Sequence, residues 1–149
     1  MLTGTGELCY EYDDPTKPVD CKADLVRFNG MLDGGHETFY FCKKVSDEYE
    51  LSSAENGLCF SFCKTARKPY DRYVTACLML AKFYFKDDII ISSDGDIEDW
   101  QEGIELIQEK LNVALEINKE EDGRFEVTKK ASKASNLADL PTLAPLPTN

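Results

Sequence analysis

Ile97, Trp100, Ile104, Ile107 and Leu111 recur at steps of 3, 4, 3 and 4. That spacing lays one apolar stripe along an α-helix. The opposite face carries Glu98, Asp99, Gln101, Glu102, Glu105 and Glu109. Asp96 stands where an N-cap is needed, and Asp99 three residues on completes the pattern of a capping box. A second helix is predicted over Tyr70–Phe85, opened by Pro69, whose missing N–H does no harm in a first turn. Tyr73, Val74, Cys77, Leu78, Leu80, Ala81, Tyr84 and Phe85 make it apolar almost all round, the profile of a buried helix.

Strand patterns fill the rest of the chain. Gly6–Tyr12 reads as a short strand, and Asp13–Pro18 as a loop. Asp24–Met31 and Thr38–Cys42 flank Asp33-Gly34-Gly35 and predict an antiparallel hairpin, with Asn29-Gly30 turning or capping the first strand. Over Leu58–Cys63, Leu58, Phe60 and Phe62 alternate with Cys59, Ser61 and Cys63. Both sets are largely apolar, which predicts a central strand covered by a helix. Asp88–Ser92, with three consecutive isoleucines, reads as a strand followed by a turn at Asp94-Gly95. Leu115–Ile117 and Arg124–Thr128 flank Lys119–Gly123, whose Asp122-Gly123 pair is a hairpin signal.

The last nineteen residues change character. Leu137, Leu140, Leu143 and Leu146 recur every third position, while Pro141, Pro145 and Pro147 exclude a regular helix. On a polyproline II backbone those leucines form one stripe. The expected architecture is therefore a single α+β domain over 1–130, an antiparallel sheet packed against two helices. An extended or disordered Pro/Leu-rich tail over 131–149 would dock on its own domain, a sister subunit or a partner.

Composition sharpens this reading. A chain of 149 residues that is 42% hydrophobic and 11% aromatic can bury a core despite a net charge of −11. That charge argues against direct nucleic-acid binding through the whole surface. The charge is also segregated: Ser61–Lys86 holds six basic residues and one acid, whereas Asp87–Asp122 holds thirteen acids and two bases. Met1–Glu7 lacks the basic and apolar regions of a secretory signal. Val74–Phe85, interrupted by Lys82, is too short to span a bilayer. A cytoplasmic, non-membrane protein is expected, with Cys9, Cys21, Cys42, Cys59, Cys63 and Cys77 as thiols, most of them packing in the core.

Few residues point to chemistry, and no catalytic residue, metal or cofactor is assigned. His36 is the single histidine, so a triad is not defined. Cys63 or Cys59 with His36 as base lacks any spacing that joins them. Cys59 and Cys63 lie too far apart on a strand to share a zinc with Cys42 and His36. Ser92–Asp96 offers oxygen ligands but does not match an EF-hand. Two charged surfaces remain. Lys64, Arg67, Lys68 and Arg72, interleaved with Tyr70 and Tyr73, suit a nucleotide-like anion. Glu98, Asp99, Glu102, Glu105 and Glu109 suit a basic partner protein, including one whose nucleic-acid channel they would occupy.

The segments Arg27–Gly30, Gly35–Phe39, Ala66–Asp71 and Ser92–Asp96, within a core from about Leu25 to Leu111, resemble small uncharacterised bacteriophage proteins. The resemblance carries no catalytic residue. It implies a phage product in a bacterial cytoplasm that binds and redirects a host or phage protein, an inhibitor of a nucleic-acid-acting or defence protein among them. An anion-binding protein using the basic cluster, or a virion or assembly component oligomerising through the leucine tail, are the other functions expected.

Overall fold

The computed structural model describes residues 7–43, 54–55 and 58–131. It is an α+β structure with antiparallel sheets and two helices. In chain order the elements are β1 (Leu8–Cys9), β2 (Asp20–Lys22), β3 (Leu25–Gly30), β4 (Phe39–Cys42), β5 (Ala54–Glu55), β6 (Leu58–Cys59), α1 (Asp71–Phe85), α2 (Gln101–Leu111), β7 (Leu115–Lys119) and β8 (Phe125–Lys129).

The predicted hairpin forms, with Leu25 opposite Cys42 and Phe28 opposite Phe39. Its turn is a single 3₁₀ turn over Leu32–Gly34. Asn29 and Gly30 do not turn the chain. They remain in β3 and pair with Cys9 and Leu8 of β1. β2, which the sequence pattern does not announce, pairs with the first half of β3.

α1 is the central packing element. Tyr70, Tyr73 and Val74 pack with Phe28 and Phe39 of the sheet. Ala76 and Met79, on another face, pack with Trp100, Ile107, Leu115, Ile117, Phe125 and Val127. Burying a side chain the size of Phe28 or Phe125 fully stabilises the fold by roughly 1.5–3 kcal/mol. The rings of Trp100 and Phe125 lie 4.9 Å apart, holding the start of α2 against the β7–β8 hairpin. α1 and α2 approach closely at Gly103, where a Cβ would lie 2.4 Å from Thr75 Oγ1 and 3.0 Å from the Ala76 nitrogen. The β7–β8 hairpin has its turn where Asp122-Gly123 predicts it, with Gly123 at φ +83°.

Two expected strands are corrected. Leu58–Cys63 is not a central strand: only Leu58 and Cys59 pair, with Glu55 and Ala54. Phe60 and Phe62 are 69% and 66% exposed. Asp88–Ser92 holds a single bridge, Ser92 to Arg124, after a 3₁₀ turn over Lys86–Asp88. Ile90 is exposed, while Ile91 is buried in the core and Ile89 packs partly buried against it. The cysteines divide as well. Cys9 is buried, whereas Cys21 and Cys59 are exposed. The end of α1 also departs from an all-round buried helix, because Tyr84 and Phe85 face outward. Among the described residues no helix is long and apolar enough to cross a membrane. The leucine tail, with Leu137, Leu140, Leu143 and Leu146, lies outside the described residues.

Candidate functional site

A buried asparagine organises the region where the charged segments meet. Asn29 is fully buried. Its amide nitrogen donates to the His36 carbonyl at 2.9 Å and to Thr38 Oγ1 at 3.0 Å. Its oxygen accepts the N–H groups of Gly30 at 2.8 Å and His36 at 3.1 Å. Every donor and acceptor of the amide is thereby used. The ordered 36–38 segment then holds the backbone of Lys64. Glu37 Oε2 accepts the Lys64 N–H at 2.7 Å, and the Glu37 N–H donates to the Lys64 carbonyl at 3.2 Å. His36 Nδ1 lies 2.7 Å from that same carbonyl. A carbonyl only accepts, so the ring proton belongs on Nδ1. The buried Tyr70 hydroxyl donates to the Glu37 carbonyl at 2.6 Å.

These anchors hold a tight turn at the entrance to α1. Ala66 and Arg67 are consecutive left-handed residues, φ +50° and +55°, and the Lys68 N–H donates to the Thr65 carbonyl at 3.1 Å. A left-handed non-glycine residue costs about 1–2 kcal/mol. Surrounding contacts over-determine this one: Lys68 Nζ also donates to the Asp33 carbonyl at 2.9 Å. The turn carries Arg67 to Asp99, with Nη2 3.2 Å from Oδ2.

Asp99 therefore leaves the acidic face. Its carboxylate also accepts the Asp96 N–H at 2.9 Å, one half of the expected capping box. The chain continues as a 3₁₀ turn over Ile97–Trp100 into α2. Glu98, Glu102, Glu105 and Glu109 are exposed along one side of this element, at spacings of 4, 3 and 4. At ~1.5 Å per residue they cover roughly 16 Å. Glu105 accepts from Gln101 at 3.0 Å, and Glu109 pairs with Lys110 at 2.5 Å. Glu98 and Glu102 make no ion pair among the described residues. Half-buried Asp71, at the start of α1, faces the same junction. Burial raises its carboxyl above the ordinary 3.8; a Thr65 hydrogen bond lowers it, Asp99 and Glu102 raise it further, and Arg67 lowers it.

The basic candidates are dispersed and mostly occupied. Arg67 binds Asp99 and Lys68 binds a backbone carbonyl. Arg72 pairs with Glu7 and donates to the Tyr73 hydroxyl at 3.1 Å, while that hydroxyl donates to Glu7 at 2.7 Å. These contacts, Tyr73 first and Arg72 after it, hold the Glu7 carboxyl below its usual range. Lys64 Nζ lies 5.8 Å from the Phe62 ring centre.

Cys63 is not set up as a nucleophile. Burial pushes the Cys63 thiol up to about 11, and it donates to the Glu37 carbonyl at 3.5 Å. A thiol so raised is not the reactive thiolate at neutral pH. Among the described residues no group of three or more His, Cys, Asp and Glu is arranged to hold a metal. In the Ser92–Asp96 loop, the Lys119 ammonium fills the cation's position, 2.8 Å from the Gly95 carbonyl and 3.3 Å from Asp96.

Sequence reasoning passed over three of the structure's polar centres. Asn29, Tyr70 and Lys82 all act inside the fold. Lys82 is buried on α1, 2.9 Å from Glu126, and donates to the carbonyls of Lys86 at 3.2 Å and Ile89 at 3.3 Å. A lone lysine within the apolar run Val74–Phe85 was the available signal.

No protein-family model matches this chain, and no curated protein or solved structure matches it.

Proposed function

We propose that this protein acts without catalysis, by binding a basic surface of a partner protein through the acidic side of α2 and modulating that partner. The observation that carries the reading is the row Glu98, Glu102, Glu105 and Glu109. All four are exposed on one rigid element, and Trp100 and Ile107 anchor that element in the core. Carboxylates at regular spacing on an anchored backbone present a field that attracts a cationic surface. Asp99 ties the 3₁₀ turn that opens this element to Arg67.

The anion-binding reading is weakened because Arg67, Lys68 and Arg72 already have partners within the fold. The resemblance to small bacteriophage proteins makes a host or phage protein in a bacterial cytoplasm the partner class. A nucleic-acid-acting or defence protein with a basic channel fits the charge.

The test is affinity capture from nuclease-treated bacterial lysate, read by mass spectrometry. One dominant partner is expected with the parent protein. The double reversal Glu102→Lys, Glu105→Lys should abolish its capture. Capture that survives the reversal, or no captured partner, overturns the proposal.

A further inference from the structure

A groove runs between α2 and the open end of the β7–β8 hairpin. Its cavity volume is about 390 Å³, within the range of ordinary binding pockets. Ile104, Ala114 and Leu115 supply its apolar lining, and Glu105, Glu109 and Lys130 stand around them. The chain leaves the described structure at this place. The Lys130 N–H donates to the Ala114 carbonyl at 2.9 Å, which fixes the exit of the last eighteen or so residues at the rim.

We infer that the groove is the docking site of the protein's own C-terminal segment, with Leu137 and Leu140 seated against Ile104, Ala114 and Leu115. Three features agree. The six residues from 131 to 136 reach about 20 Å when extended, enough to bring Leu137 anywhere along α2, whose eleven residues span about 16 Å. Leucines three apart on a polyproline II backbone stand about 9 Å apart, and Gln101 to Gln108 along the groove wall covers about 10 Å. Charge is complementary at the entry to the segment, where Lys130 lines the groove together with Glu105 and Glu109 and Lys133 follows in sequence, although Asp139 stands between the two leucines. The short connection gives the segment an effective concentration that a free competitor must exceed. The exposed Tyr84, Phe85 and Ile90 lie toward the opposite end of β8, where Phe125 meets Ile91. Where the acidic-face reading holds, a docked segment screens Glu105 and Glu109 and competes with the partner.

The test is methyl NMR of the full chain, with a sample mixed from differently labelled copies to separate contacts within and between chains. Nuclear Overhauser contacts between the Leu137 and Leu140 methyls and Ile104 within one chain are expected. The full-length variant Leu137→Ser, Leu140→Ser should lose them and shift the Ile104 methyl. Random-coil leucine shifts without contacts to Ile104 overturn the inference. Contacts found only between chains also overturn it and assign the groove to a second copy. Neither readout depends on partner capture, so failure here leaves the acidic-face proposal standing, and the reverse.

Discussion

Arg67 Nη2 lies 3.2 Å from Asp99 Oδ2, joining residues 32 apart in sequence. This contact connects the basic segment to the acidic one and ties the left-handed turn before α1 to the 3₁₀ turn that leads into α2. Its energetic weight is small. Arg67 is 75% exposed, and an exposed ion pair contributes at most about 1 kcal/mol. Arg67→Ala is therefore expected to lower unfolding free energy in urea by less than that. Ala66→Gly relieves a left-handed residue and should raise stability by up to about 1 kcal/mol. A clear loss on Ala66→Gly would contradict the turn geometry.

The half-buried carboxyl of Asp71 gives the junction a pH dependence. Its pKa is raised in the folded state by burial first, so the native protein holds this proton at pH values where the unfolded chain has released it. Stability from this group therefore falls as pH rises from the ordinary 3.8 through the folded value. Asp71→Asn removes the titration. Its unfolding free energy relative to the parent should improve as pH climbs through that window and be least favourable below it. A difference that does not vary with pH, or varies the other way, would show that the site is solvated.

Gly103→Ala tests the contact of the two helices. Its new methyl would meet Thr75 Oγ1, Met79 Cε and the Ala76 backbone, all within 3.0 Å. The backbone atom cannot yield as a side chain can, so a loss of about 1–3 kcal/mol is expected. Chemical denaturation measures it, and a change near zero would mean that α1 and α2 sit further apart.

Asn29→Ala removes four hydrogen bonds at once and leaves one buried and three part-buried groups without that partner. A cost of about 3 kcal/mol follows from leaving such groups unpaired. Amide exchange should rise at His36 and Lys64 together, because the 36–38 segment holds Lys64. Faster exchange confined to His36 would separate the two.

Cysteine alkylation separates the thiols by environment. Cys21 and Cys59 are exposed and should react first with iodoacetamide near neutral pH. Cys63, raised to about 11, and Cys77, raised to about 12, both chiefly by burial, should stay unmodified in the folded protein along with buried Cys9. Mass spectrometry of digested samples gives the order. Early modification of Cys77 would contradict its packing on α1.

Local periodicity determined a good part of this molecule. The stripe of Trp100, Ile104 and Ile107 places α2, the apolar density of 73–81 buries α1, and Asp122-Gly123 turns the β7–β8 hairpin. Each depends on the spacing of neighbouring side chains and on backbone preferences over a few residues, which a sequence carries directly. The same pattern misled at Leu58–Cys63. Alternation states which residues share a face and is silent on whether a pairing strand and a covering helix are present. The tertiary structure decided that Phe60 and Phe62 face outward. It also decided which charges serve the fold and which stay available. Glu98 and Asp99 are adjacent in sequence, yet Asp99 turns to Arg67 while Glu98 stays exposed. Lys82 sits in an apolar run and is retained because Glu126 and two carbonyls reach it. Asn29 looks like a turn residue and becomes the buried hub of the junction. In each case the deciding partner comes from a distant segment, or from the direction in which a folded element points the side chain. Long-range placement of that kind has no signature in local spacing.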